Sequence, residues 1–248
     1  MNSITSIVNV YRRPQNLQLQ VDAIADQTEL GEQTWVWRNY HQDGKDLNLD
    51  SLWNVDRWID SNFNWKFYGR FAAALLATTE YVAIFDDDTI PGKNWFKNCL
   101  ETMQTSPGIL GSAGVILNSG IYANHVRSGW PSQNEKIERV DLVGHAWFFK
   151  TEWLKYLWSE RPFTFDNGED IQFSYLAQKY GSINTFTPPH PRSDQSLHGS
   201  ILGEKLGIDN KATSCNNEVS FSKFFNERDL CVQNAIRNGW KTVKEISL

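Results

Sequence analysis

Three consecutive aspartates, Asp86-Asp87-Asp88, follow the apolar run Tyr81-Val82-Ala83-Ile84-Phe85 and precede Thr89-Ile90-Pro91-Gly92. A short apolar run of this kind reads as a buried strand, so the carboxylates fall at its C-terminal lip, where open α/β sheets bind their ligands. Carboxylate oxygens beside a diphosphate are the donors that Mg²⁺ and Mn²⁺ take. The expected chemistry is the handling of a metal-bound nucleotide. A second acidic site, Glu169-Asp170, opens a segment that reads as a helix through Lys179, stopped by Gly181. A helix N-terminus favours the ionised carboxylate, which suits a general base or an anion that stabilises a nucleophile.

The elements that must position these acids alternate between strand and helix, the pattern of a parallel sheet. Residues 4–10 read as a strand, Tyr11-Arg12-Arg13-Pro14 as its exit, and Pro14 as the start of a helix carrying Leu17, Leu19, Val21, Ala23 and Ile24. A second strand, 33–39, leaves Asn39 at its exit, and the polar residues 41–50 follow as a loop. Helical spacing of Phe67, Phe71, Ala74 and Leu75 predicts a helix over 65–78 that feeds the aspartate strand. Trp95, Phe96, Cys99, Leu100 and Met103 mark another helix, closed near Ser106-Pro107-Gly108, and 109–117 read as a strand. Residues 118–135, rich in Ser, Gly, Asn and Pro, are expected as loops; 139–142 and 146–149 are short strand pieces around Gly144-His145. A last strand, 183–187, ends in Pro188-Pro189-His190-Pro191. Residues 192–217 form a long polar connection expected to move as a lid, and an amphipathic helix over 222–237 closes the chain before Asn238-Gly239.

Composition narrows the function. At 248 residues the chain suits one large α/β domain with a C-terminal appendage. Its net charge of -5 and the lack of any Lys/Arg run argue against polymeric nucleic acid as a partner. Residues 1–8 lack a basic, then apolar, leader pattern, and no stretch approaches the roughly 20 apolar residues of a membrane span. A cytoplasmic protein without a transmembrane segment is expected. Cys99, Cys215 and Cys231 fit neither a disulfide framework nor a zinc site and read as reduced thiols. Eleven tryptophans lean toward carbohydrate, because indole faces suit sugar C–H surfaces as well as cores.

The string Ala83-Ile84-Phe85-Asp86-Asp87-Asp88-Thr89-Ile90 resembles the DxD region of nucleotide-sugar-dependent glycosyltransferases of the GT-A fold. Val143-Gly144-His145-Ala146-Trp147-Phe148-Phe149, followed by Asn167-Gly168-Glu169-Asp170-Ile171, is similar to their acceptor-side and "ED" segments. The nearest pattern is the exostosin-like family, with the inverting family 2 transferases next; the similarity covers residues 4–191 and leaves the C-terminal tail unmatched. The resemblance implies an α/β fold of the GT-A, Rossmann-like type. A single domain over 1–191 would hold a mixed, mostly parallel sheet, and 192–248 would be a flexible connection and a C-terminal helix packed on the same domain.

The resemblance also implies roles. Asp88 matches the direct metal ligand and Asp86 the ribose-side residue that also approaches the metal; Asp87 fills the middle position. Arg70 matches an arginine near the donor phosphates, and Asn39 a base or ribose contact. In the first-strand exit, Tyr11 would hold the base and Arg12 or Arg13 the phosphates. The acid of the ED segment matches the catalytic carboxylate, and Asp170 fits better than Glu169. Many such enzymes add a late histidine to the metal, for which His190 ranks ahead of His198. The implied cofactor is Mn²⁺ or Mg²⁺. The implied donor is a nucleotide diphosphate sugar, a UDP-sugar first, carrying a hexosyl or N-acetylhexosaminyl group to a hydroxyl of a glycan or glycoconjugate. Exostosin-like chemistry implies retention, whereas Asp170 opposite the leaving group would give inversion. Two other readings stand beside this one: a sugar nucleotidyltransferase, whose Gly-rich opening loop Tyr11-Arg12-Arg13-Pro14 lacks, and a non-catalytic glycan-binding module that uses the tryptophans.

Overall fold

The computed structural model describes residues 3–44, 47–48, 52–212 and 220–246. Strand β1 (Ile4–Val10) is buried along its whole length. It lies between two parallel neighbours, β2 (Gln33–Arg38) and β4 (Tyr81–Phe85). A strand covered on both faces carries an unbroken apolar run rather than an alternating one, which is why β1 and β4 are so plain in the sequence. Strand β3 (Arg57–Asp60) adds to β2, again in parallel. It has four residues with a charge at each end, and periodicity does not reveal it.

Beyond β4 the sheet changes direction. Strand β8 (Leu142–Lys150) runs antiparallel to β4, and β5 (Gly108–Asn118) antiparallel to β8. Strand β9 (Asn184–Thr187) lies parallel to β5, with β7 (Glu138–Val140) antiparallel on β9. The order is β3-β2-β1-β4-β8-β5-β9-β7, with β6 (Ile121–Gly129) paired to β5 off that path. Two expectations change here. Residues 118–135, expected as loops, contain β6: Ser119 and Gly120, both at positive φ, turn the chain into a hairpin. The turn-forming composition belongs to the ends of a half-exposed edge strand. The two pieces around Gly144-His145 are a separate β7 and a continuous β8.

Helices α1 (Leu17–Ala25) and α3 (Trp95–Thr105) cover one face, burying Leu17, Val21, Phe96 and Cys99 against Val8, Phe85 and Phe148. On the other face, α2 (Gly69–Ala74), α4 (Leu154–Leu157) and α5 (Glu169–Gly181) enclose Phe71, Trp147, Phe149 and Phe173. The helix expected over 65–78 shrinks to α2, because Lys66 is left-handed and Leu75 and Leu76 point to solvent. Three more helices follow: α6 (Gly203–Gly207), α7 (Phe221–Arg237) and α8 (Val243–Ile246). A third cluster joins α7 to α5 and β6 through Cys231, Val232, Ile171, Tyr175 and Tyr122. The expectations for residues 45–46, 49–50 and 213–217, with Cys215, fall outside the described residues. No helix among the described residues is long and apolar enough to cross a membrane.

Candidate active site

The aspartate triplet turns off the end of β4 and is held from three sides. The Asp86 N–H donates to the His145 carbonyl at 2.9 Å, tying the lip to β8. Gln20 on α1 donates to the Asp86 and Thr89 carbonyls at 2.6 and 3.0 Å, and Asn16 donates to the Asp87 carbonyl at 2.9 Å. Both amides are buried, as the requirement to satisfy a buried turn backbone dictates. They were not singled out in the sequence, where their only mark is polarity on the apolar side of a helix.

Each carboxylate has an arginine. Asp86 Oδ1 lies 2.8 Å from Arg70 Nη1. Arg13 Nη1 reaches Asp87 at 2.9 Å and Asp88 at 3.1 Å, and Asp87 also accepts the Arg12 N–H at 3.1 Å. Burial, opposed by Arg70 and reinforced by the neighbouring carboxylates, pushes Asp86 up to about 8. Burial and then Asp88 raise Asp87, against the pull of Arg13. Arg13, expected at phosphates, thus has its guanidinium on the triplet, while Arg12 meets Asp87 through its backbone N–H and its Nε is buried without a partner.

The described part of the 192–217 connection lies on this lip. Arg13 Nη2 donates to Asp209 Oδ1 at 2.6 Å and to the Gly207 carbonyl at 3.2 Å. Gly207 is needed for the approach, since a Cβ there would meet Asp88 Oδ2 at 2.8 Å. His145, in left-handed backbone on β8, points its Nδ1 toward Asp88 Oδ1 at 3.9 Å, under the Trp130 ring. That nitrogen is buried with no hydrogen-bond partner. Burial lowers the His145 pKa, partly offset by Asp88. A carboxylate facing an unpartnered imidazole nitrogen fits a divalent cation whose remaining ligands come from phosphate oxygens. The quoted Gly144-His145 segment was the available signal for this residue.

His190 stands elsewhere. Its ring stacks on His198 with centroids 3.5 Å apart, and His198 Nε2 contacts the Pro191 carbonyl at 2.7 Å. Burial and then His198 push His190 down to about 3. Among the described residues no group of three or more His, Cys, Asp or Glu side chains is arranged to hold a metal ion, so His190 is not gathered with Asp86 and Asp88 into one.

At the exit of β2, Asn39 is buried and its amide organises the following loop. Its Oδ1 accepts the Trp65 N–H at 2.9 Å, and its Nδ2 donates to Asn64 Oδ1 at 2.9 Å and to the Lys66 carbonyl at 3.3 Å. Asn64 in turn donates to the Tyr11 hydroxyl at 2.9 Å. Asn39 therefore shapes the wall in which Tyr11 stands.

The second acidic site begins at Gly168, whose φ of 82° turns the chain into α5. Glu169 Oε1 lies 2.9 Å from Arg70 Nη2, so one buried guanidinium bridges Glu169 and Asp86. The other Glu169 oxygen is buried without a partner. Burial and then Asp170, opposed by Arg70 and Arg228, push Glu169 up to about 7. Asp170 Oδ2 contacts Arg228 Nη2 at 2.5 Å, and its Oδ1 accepts the Ile171 N–H at 2.8 Å. Arg228, on α7, carries no local sequence mark of this role.

No protein-family model matches the sequence, and no curated protein matches it. Solved structures do. Staphylococcus aureus TarS superposes with a TM-score of 0.53 at 16% identity, over 75% of this chain and 36% of TarS. TarS residues 1–349 in complex with UDP superpose with a TM-score of 0.53 at 15% identity, over 75% of this chain and 60% of the other. The chain thus spans less than two thirds of either neighbour. What the likeness establishes is the fold: a mixed α/β, Rossmann-like glycosyltransferase fold.

Proposed function

We propose that the chain is a glycosyltransferase that moves a sugar from a nucleotide diphosphate sugar, a UDP-sugar first, to a hydroxyl of a glycan or glycoconjugate acceptor. The observation that carries the reading is Arg70, which holds Asp86 and Glu169 at 2.8 and 2.9 Å and so joins the two acidic motifs into one site at the strand ends. The site supports a donor half and an acceptor half on either side of that guanidinium. The UDP bound by a structural neighbour supports the choice of nucleotide.

A divalent cation, Mn²⁺ or Mg²⁺, would be held by Asp88, with Asp86 beside it and His145 within reach, and would neutralise the departing diphosphate. The chain's own groups do the rest. Arg12 and Arg13 present positive charge at the first-strand exit, where they would face the phosphates, and the wall of Tyr11, Asn39 and Asn64 would border the base. Glu169 and Asp170 form the acidic side toward the acceptor, a hexose or N-acetylhexosamine being the group transferred. The test is calorimetry with UDP in Mn²⁺ and in EDTA, followed by a panel of UDP-sugars assayed for UDP release. Binding that needs Mn²⁺, with release from one donor, is expected; no UDP binding in Mn²⁺ and no release from any donor would refute the reading.

A further inference from the structure

Two loops, 61–68 and 161–168, each carry a pair of aromatic rings in solvent. Phe63 and Trp65 in the first are 59% and 55% exposed, and Phe163 and Phe165 in the second 50% and 51%. Single exposed apolar residues are ordinary, whereas rings grouped in one place mark a binding surface. The grouping here is built by contacts. Phe63 and Trp65 meet edge to face with centroids 5.0 Å apart. Phe165 meets Tyr68 of the first loop edge to face at 5.4 Å, and Lys66 Nζ lies 3.9 Å from Asp166 Oδ1, so the two loops stand side by side.

The surface is continuous with the candidate active site. The Trp65 N–H donates to Asn39 Oδ1 at 2.9 Å, and Asn64 beside it donates to the Tyr11 hydroxyl at 2.9 Å, so the first loop extends the wall at the β1 and β2 exits. Arg70 Cζ stands 5.7 Å from the centroid of the Phe67 ring. Both loops lead into the helices, α2 and α5, whose first turns carry Arg70 and Glu169. The exposed rings therefore adjoin the point at which Arg70 joins the two acidic motifs.

The lining indicates the occupant. The charged residues of the two loops are Lys66, Arg161 and Asp166, and Lys66 and Asp166 face each other. An anionic membrane or a polyanion needs a cluster of basic residues, which these loops do not supply. Between the rings stand neutral hydrogen-bonding groups, Asn62 and Thr164. Flat apolar faces bordered by amides and hydroxyls match a pyranose, which presents C–H bonds on its faces and hydroxyls around its rim. Equatorial hydroxyls leave those faces unbroken. We infer that the two loops form the acceptor platform, on which an uncharged oligosaccharide of sugars with equatorial hydroxyls lies with its ring faces on Trp65 and Phe165. The inference rests on the glycosyltransferase reading and names the class of acceptor; with one ring pair on each loop, recognition extends over more than one sugar unit.

The test is calorimetry on the full chain with cello- and chito-oligosaccharides as uncharged probes and heparin fragments as the charged one. Vesicles of anionic phospholipid and sedimentation of the chain alone test the other occupants. The uncharged oligomers are expected to bind without UDP, and more tightly as they lengthen. Trp65→Ala and Phe165→Ala should each weaken that binding, and raise the acceptor KM, by roughly 5–30-fold, with kcat, UDP affinity and melting temperature retained. Trp65→Phe and Phe165→Tyr should recover most of the loss, and Leu230→Ala, a half-exposed apolar residue on α7, should change nothing. No binding of the uncharged oligomers, a preference for heparin fragments, or binding that survives loss of both rings would overturn the platform. Vesicle binding or self-association abolished by the same two variants would overturn it too, giving the rings to a membrane or to a second copy. Ring-dependent oligosaccharide binding in a chain that neither binds UDP nor releases it from any donor would keep the platform and refute the glycosyltransferase reading; UDP release with ring-independent binding would do the reverse.

Discussion

At the strand-end lip, Asp87 and Asp88 share one guanidinium, Arg13, with Asp209 of the following connection, whereas at the start of α5 Glu169 shares Arg70 with Asp86 and Asp170 is paired with Arg228. The Asp209 side chain is 37% exposed, while those of Glu169 and Asp170 are 4% and 8% exposed. Exposure changes what an ion pair does. Water screens the Asp209 pair, so it exchanges at little cost; the buried pairs are strong only while both partners stay. Arg13 can therefore exchange Asp209 at little cost, while its buried pairs with Asp87 and Asp88, like the pairs at the α5 turn, hold their acids in register.

Four measurements would break or sharpen that contrast. The largest effect is expected from Arg70→Met, which strips Asp86 and Glu169 of a shared buried cation; chemical denaturation should show a loss of about 3–5 kcal/mol. Asp88→Asn should weaken Mn²⁺-dependent UDP binding by about 10–100-fold in calorimetry with little loss of stability. Asp87→Asn should do the reverse, because Asp87 accepts both the Arg13 guanidinium and the Arg12 N–H. A stability loss in the first and a binding loss in the second would invert the assignment of the triplet.

The third measurement is of pH. Glu169 holds its proton up to about 7 when folded and loses it near the ordinary value of 4.5 when unfolded. Between those values the native state binds more protons, so stability should fall as pH rises through the window and level off above it. Asp86, also raised, adds a slope of the same sign. Glu169→Gln should flatten the profile by on the order of 1–3 kcal/mol across the window; an unchanged slope would mean that Glu169 is not held as the geometry requires. The smallest effect is expected from Asp209→Asn, within about 1 kcal/mol of the wild type in stability, with UDP binding equal or tighter because Arg13 loses a competing anion. Weaker UDP binding would make Asp209 part of the donor site itself.

Local pattern carried much of this molecule. The buried strands β1 and β4, the acidic triplet, the first turn of α5 and the span of α7 were each legible because a few neighbouring residues define them. β6 was hidden because an edge strand alternates weakly and its turn residues look like loop. The helix over 65–78 was overextended because apolar spacing continued through Leu75, which tertiary packing leaves exposed. Of the site, the acids were visible by type and spacing and Arg12, Arg13 and Arg70 through the family resemblance, whereas Arg228 and every pairing were not.

What the sequence determined by itself is that an α/β sheet would bring one carboxylate cluster to a strand end and another to a helix start, since strand period and helix start are written in adjacent residues. Only the tertiary structure decided that Arg70 stands between the two clusters and that Arg13 serves Asp87, Asp88 and Asp209. It also decided that Asp170 belongs to an arginine 58 positions downstream. Such pairings are set by which surfaces pack together, and buried charges must find a partner wherever the fold places one.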